Sequence, residues 1–171
     1  MTDIPSLETE RLTLRPHRLD DFEAHAALWA DEDVVRFISG VASTREQSWS
    51  RMLRLAGMWH HMGFGFLAIV EKANGRFIGE AGFMESRREM DPSIEGMMEL
   101  GWALTPSAHG RGYATEALTA LIGWAEAHFP GKPMSCIISP ENQASLRVAA
   151  KLGFRETVRT QYNGEVIQFS R

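Results

Sequence analysis

Gly110, Arg111 and Gly112 stand directly ahead of a long apolar-periodic segment, and this is the spacing in the chain best able to do chemistry. Ala114, Ala117, Leu118, Leu121, Ile122, Ala125 and Phe129 fall on one face of a helix of about four turns, which Pro130 and Gly131 stop. The start of such a helix has N–H groups without intrahelical partners and carries the positive end of the macrodipole. The two glycines let the backbone turn and come close to a guest, and Arg111 adds a full charge. The chemistry expected here is phosphate binding.

The segment just upstream has to position that loop. Leu100, Trp102 and Leu104 alternate with Glu99, Gly101 and Ala103, the pattern of a strand with one bulky face and one nearly bare face, on which room for a ligand is expected. Pro106 ends the strand. A P-loop would need a lysine after Gly112, and Tyr113 stands there. A dinucleotide turn would need a third glycine where Thr115 stands, although Glu141 could supply its ribose-binding acid, so that alternative stays open.

The remaining elements follow from periodicity. LETERLTLRP reads as a first strand closed by Pro16, after which Asp20 or Asp21 can cap a helix with Phe22, Ala26 and Trp29 at core spacing. A second helix fits Arg45 to His60, with Trp49, Met52, Leu53, Ala56 and Trp59 as its packed stripe. The adjacent His60 and His61 point in different directions and read as surface residues rather than a zinc site. FGFLAIVEK and RFIGEAGFM form a hairpin about Asn74-Gly75, and a polar loop over 85–96 leads into the organising strand. Met134 to Ile138 is a buried strand expected parallel to that strand, with the helix between them as crossover. Asn142 caps the next helix, which Gly153 ends, and RETVRTQ and EVIQFS close the chain as a hairpin about Asn163-Gly164. The expected fold is one α/β domain over 1–171: a twisted, mixed sheet of about seven strands, antiparallel at its ends, with a parallel pair at its centre and helices on both faces.

Composition limits the function. At 171 residues with 44% hydrophobic and 23% charged content, the chain can bury a core without staples and has no long disordered tract. A net charge of −4 offers no broad attraction for nucleic acid, and no apolar run approaches membrane-spanning length. MTDIPSLETE has neither a basic nor an apolar leader region, and the one cysteine, Cys136, sits in apolar surroundings where it reads as a buried small hydrophobe. A reducing cytoplasm is the expected compartment.

The stretch Gly110-Arg111-Gly112-Tyr113-Ala114-Thr115-Glu116-Ala117-Leu118 resembles the acetyl-coenzyme-A pyrophosphate loop of the GNAT N-acetyltransferases, whose pattern is [QR]-x-x-G-x-[GA]; Ser107 occupies the Gln/Arg position. The opening LETERLTLR resembles the L-x-T-x-R-L-x-L-R of the RimJ/RimL-type branch, the ribosomal-protein N-terminal acetyltransferases. Asn142-x-x-Ser145 followed by Lys151-Leu152-Gly153-Phe154 matches the same branch, in which the Asn contacts the cofactor. The three motifs come in family order from Leu7 to Phe154.

The resemblance implies an enzyme that moves acetyl from acetyl-CoA to a primary amine by direct attack, with no covalent enzyme intermediate and no metal. Cofactor contacts are implied at Leu100, Trp102, Ala103 and Leu104, at His109 through Thr115, and at Asn142, with the two central parallel strands splaying at a bulge to admit the pantetheine arm. Glu99 is the implied base, with Glu80 in reserve. The tyrosine that many relatives use as acid is absent, leaving Ser145 as substitute. The acceptor is a protein N-terminus or a small-molecule amine, and the protein is a monomer or homodimer. A non-catalytic acyl-CoA sensor is the alternative from another class.

Overall fold

The alternating apolar runs all enter one eight-stranded sheet in the structure, a computed structural model that describes residues 4–171. The first three residues of the segment read for a leader lie outside the described residues. The strands are β1 Leu7–Glu8, β2 Leu12–Arg15, β3 Phe66–Glu71, β4 Arg76–Met84, β5 Met98–Leu104, β6 Met134–Ile138, β7 Arg155–Gln161 and β8 Glu165–Ser170. Their order is β1-β2-β3-β4-β5-β6-β8-β7, and every neighbouring pair is antiparallel except β5 with β6. The expected count of about seven falls one short because LETERLTLRP is not a single strand. The Thr9 N–H donates to the Leu12 carbonyl at 2.9 Å and the Thr9 hydroxyl accepts the Leu12 N–H at 3.0 Å, and the chain folds back so that Leu7 lies opposite Leu14.

Five helices cover the sheet: α1 Phe22–Ala30, α2 Glu32–Val35, α3 Arg45–Met62, α4 Tyr113–His128 and α5 Gln143–Lys151. Thr44 and Gln47 form a reciprocal capping box at the start of α3, and Gly63, at φ 73°, ends it in the left-handed conformation. The packed face of α3 is Ser48, Met52, Leu55 and Trp59, so Met52 and Trp59 of the expected stripe are buried and Trp49, Leu53 and Ala56 are not. Leu53 is 50% exposed, Ala56 is also exposed, and Trp49 turns outward to meet Phe22 edge-on at 5.1 Å. Packing against α1 selects the face, and hydrophobicity alone placed it one residue off. Asp21 does not cap α1 with its side chain. Its carboxylate takes both Arg15 Nη atoms, at 2.7 and 2.8 Å, and the Arg18 N–H at 2.7 Å, which pins the chain as it leaves the sheet.

The two faces of β5 enter different cores. Met98, Leu100 and Leu104 join Ala117, Leu118 and Leu121 of α4 in the main core, and Ala103 packs with Leu28, Trp29, Val34 and Val35 of α1 and α2. The bare face expected to leave room for a ligand is therefore filled. A Cβ at Gly101 would lie 2.8 Å from Phe66 Cζ and 2.9 Å from Met84 Cε.

Space opens within the plane of the sheet instead. β5 and β6 pair only at Met98↔Met134 and Glu99↔Ser135, after which Leu100–Leu104 and Cys136–Ile138 continue with no rung between them. The β4–β5 register is unbroken from Gly79↔Leu104 to Met84↔Glu99, so β5 diverges from β6 without the bulge that the resemblance implies. Four register pairs to β8 hold β6 on its far side.

Candidate active site

The open side of β5 runs straight into the start of α4. Gly110 and Gly112, at φ 71° and 79°, turn the chain there, and Gly112 is the N-cap residue with no side chain to bond the first-turn amides. The first ordered helical bond is Glu116 N–H to the Gly112 carbonyl at 3.1 Å, which leaves the earlier donors to face outward. His109, whose Nε2 lies 2.9 Å from the Leu104 carbonyl, ties the loop to the end of β5. A shallow depression beside this helix start is lined by Gly112, Thr115, Thr119 and Lys151, the last adding a cation that sequence reasoning missed because it belongs to a different helix.

The L-x-T-x-R segment has its physical reason here. Glu116, in the first turn of α4, accepts from the Thr9 hydroxyl at 2.6 Å, the Arg11 N–H at 2.8 Å and Arg11 Nε at 2.7 Å, and Arg11 Nη1 reaches the Arg111 carbonyl at 2.9 Å. The first motif therefore clamps the second. Tyr113 is buried with the Arg11 and Arg111 guanidiniums both 4.5 Å from its ring centroid, and its hydroxyl donates to Glu71. Arg111 Nη2 also pairs with Glu71 at 2.9 Å. The bonds from Tyr113 and Asn74, with the Arg111 charge, hold the Glu71 carboxyl below its ordinary range.

The structure does not bring the remaining implied residues to one point. Asn142 Oδ1 accepts the Ser145 N–H at 3.1 Å, so its oxygen is used as a helix cap. Ser145 is half-buried on the first turn of α5. Glu99 is 3% exposed, and both of its oxygens are taken by Arg88 of the 85–96 loop, at 2.7 and 2.8 Å. Arg88 also lies over the Tyr162 ring at 4.9 Å, so one ion pair fastens the loop and the closing hairpin to β5. The Cys136 thiol is pushed up by burial, with the nearby Glu99 charge adding to the shift, and is inert as a nucleophile.

Glu80, named only in reserve, centres the most enclosed polar cluster. Its Oε2 lies 2.8 Å from His17 Nε2 and 3.2 Å from His25 Nε2, and its Oε1 accepts from Trp29 Nε1 at 3.0 Å. Burial alone would push this carboxyl up, but the bonds and charge interactions with His17 and His25 overcome it and hold it at about 2. These are the donor types of a metal site, yet Arg51, stacked 3.7 Å from the Trp29 ring and interacting with the Glu80 charge, already balances the carboxylate. A dication would leave the enclosed cluster with a net positive charge, so no ion is assigned to it. The members come from residues 17, 25 and 80, and no local spacing in the sequence announces them.

A sheet parted between its parallel strands, with a helix start at the end of the opening, defines a domain that binds an elongated phosphate-bearing guest. A family model described as the acetyltransferase (GNAT) domain matches residues 11–155, and the chain belongs to that family. It is an acetyl-CoA-dependent acetyltransferase. It is 31% identical over 176 residues to the uncharacterized protein YkkB of Bacillus subtilis, covering 96% of this chain and 94% of that one. A Bordetella pertussis chain assigned to the GnaT family superposes with TM-score 0.88 at 29% identity, covering 98% of this chain and 99% of that one. RimL, the ribosomal L7/L12 alpha-N-protein acetyltransferase in complex with coenzyme A, has the same fold, with TM-score 0.81 at 16% identity over 98% and 97% of the two chains. Among the described residues no helix is long and apolar enough to cross a membrane.

Proposed function

We propose that this protein transfers the acetyl group of acetyl-CoA to a primary amine, by direct attack in a ternary complex, and that residues 1–171 act as one such domain in a reducing cytoplasm. The observation that carries the reading is the two-rung parallel pairing of β5 and β6, which leaves the β6-facing edge of Leu100–Leu104 without a strand partner, on a path that ends at the α4 N-terminus. In this reading the amides from Gly110 to Thr115 hold the pyrophosphate. Backbone groups from Leu100 through Leu104 bond the pantetheine amides, and one N–H there polarises the thioester carbonyl, the charge stabilisation that acyl transfer needs most. When bound, the cofactor supplies the activated acetyl group. Asn142 contributes its amide nitrogen from α5, and Ser145, one turn on, serves as proton donor to the departing sulfur. The acceptor class extends from protein N-termini, as the RimL likeness invites, to small amines. Calorimetric titration with acetyl-CoA, with NAD and ATP in parallel, tests the cofactor half. The expected affinity is micromolar, about 8 kcal/mol, and selective for acetyl-CoA. Labelled acetyl-CoA offered with ribosomal proteins and a panel of small amines tests the acceptor half.

The second reading, an acyl-CoA-binding module without turnover, draws on one observation: Glu99 and Glu80 are both fully engaged by partners. Tight acetyl-CoA binding with no transfer across the amine panel would establish it.

A further inference from the structure

We infer that His17 is the general base of the transfer, with Glu80 as the residue that positions it; the inference rests on the acetyl-transfer reading above. An amine arrives largely as the ammonium and must lose a proton to attack. Neither carboxylate beside β5 is suited to take it. Glu99 is bidentate to Arg88, and Glu80 is held by His17 Nε2 at 2.8 Å and Trp29 Nε1 at 3.0 Å. An imidazole is the side chain that ordinarily exchanges a proton near neutrality.

Geometry distinguishes the two imidazoles. His25 is fully enclosed, with neither ring nitrogen in a well-formed hydrogen bond, and cannot pass a proton outward. His17 keeps 8% of its side chain exposed, and its Nε2 is held 2.8 Å from Glu80 Oε2. A carboxylate on Nε2 fixes the proton on that nitrogen and leaves the Nδ1 lone pair as the free base, the dyad logic by which an acid orients an imidazole and stabilises its cation. Glu80 stands opposite Ala103, on the stretch of β5 that lacks a second partner, and on the face covered by α1. His17 lies in the segment that carries the chain from β2 to α1, held at both ends by the Arg15–Asp21 pair. Its partner Glu80 thus anchors it on the α1 side of the sheet, one strand away from the edge of β5 that the proposed cofactor path follows.

The groups facing it are Glu80 from β4, His25 from α1 at 5.7 Å between ring centroids, Asp21 and Arg15 at the pinned turn, and Phe77 at 6.4 Å between ring centroids; Trp29, by its bond, and Arg51, by its charge, act on it through Glu80. The added proton meets the Glu80 carboxylate first.

The step balances as follows. Nδ1 takes one proton from the ammonium, directly or through one water. The freed nitrogen pair forms the C–N bond at the acetyl carbon, and the C–S bond breaks with its electrons on sulfur. The second proton lost by nitrogen neutralises the thiolate, and His17 returns the first to solvent. Ammonium and acetyl-CoA thus give amide, coenzyme A and one proton.

The test is the pH dependence of kcat and kcat/KM for the wild type, His17→Gln and Glu80→Gln, with acetyl-CoA titration and thermal melting on each. His17→Gln should stay folded and bind acetyl-CoA normally, at a lower melting temperature than the wild type, while kcat at pH 7 falls at least about 100-fold and the ascending limb disappears. Glu80→Gln should lower kcat while leaving acetyl-CoA binding and the KM for the amine near wild type, because the imidazole loses the carboxylate that orients it. An unchanged limb with kcat within about threefold of wild type in His17→Gln overturns the inference. If the wild type binds acetyl-CoA yet transfers to no amine, the broader reading fails instead. Nitrogen-15 spectra of the free protein then decide His17 alone: the proton on Nε2 at neutral pH with uptake at Nδ1 on acidification is expected, and the opposite tautomer or a ring that never takes up a proton overturns it.

Discussion

Two carboxylate networks flank β5, alike in chemistry and opposite in exposure. On the α1 side Glu80 meets His17, His25 and Trp29, with the charge of Arg51 acting on it from over the Trp29 ring, and 1% of its surface is accessible. At the α4 start Glu71 and Glu116 meet Arg11, Arg111 and Tyr113, where the two guanidiniums are 42% and 50% exposed. Enclosure makes the first network costly to alter and holds its geometry to a single arrangement. Exposure of the guanidiniums lets the second exchange partners: Arg111 can turn from Glu71 to an incoming anion, because the buried Glu71 carboxylate keeps its bonds from Tyr113 and Asn74. A transferase needs both kinds of network, a fixed one where protons move and an adjustable one where a large anion enters and leaves.

The largest effect is expected at the enclosed network. Glu80→Gln should destabilise the fold by about 3 kcal/mol, read by urea unfolding at pH 7. The folded-state value for Glu80 lies near 2, below its ordinary 4.5, so its contribution is complete above pH 4.5 and is lost as pH falls from there toward 2. Wild type should therefore lose about 3 kcal/mol through that window and Glu80→Gln should not. A parallel decline in both would mean that the cluster is held by packing and not by charge. Next comes Glu99→Gln, which leaves the mostly buried Arg88 without its counter-charge and should cost about 2 kcal/mol. Protease cutting within 85–96 should accelerate with it, since the pair fastens that loop.

Smaller effects are expected on the exposed side. Gly112→Ala must adopt φ 79° with a side chain and should cost about 1 kcal/mol of stability, while weakening acetyl-CoA binding far more than it lowers the melting temperature. Glu116→Gln should shift melting by no more than about 2 °C. A larger shift would show that the clamp of Thr9 and Arg11 on α4 carries structural weight that its exposure does not predict.

The legible parts of the molecule were those written locally. Strand alternation, the turns at Asn74-Gly75 and Asn163-Gly164, and the glycine-bearing start of α4 sit where their residues placed them. What could not be read depends on contacts across the chain. Trp49 and Leu53 satisfy helical spacing as well as Ser48 and Leu55 do, and only α1 decides which face is inside. Glu99 has the same place on its strand whether it is free or paired, and Arg88 lies in a polar loop with no period to mark it. Asp21 looked like a cap because capping is local, whereas its partner Arg15 belongs to the preceding strand. The Glu80 cluster joins three segments that share no pattern at all.

The two missing neighbours of β5 and β6 have a further meaning. Strand edges ordinarily lie at the rim of a sheet, where charge and short length keep other chains from adding to them. Here two edges face each other in the middle, and the molecule behaves as five strands and three strands riveted at one end by two rungs. A slender guest with amides along its length can stand in for the absent ladder and make the sheet continuous. Occupancy is then a mechanical matter as well as a chemical one: the amide protons of Leu100–Leu104 that point away from β4 should exchange more slowly once the slot is filled, and the two parts of the sheet should stiffen into one body.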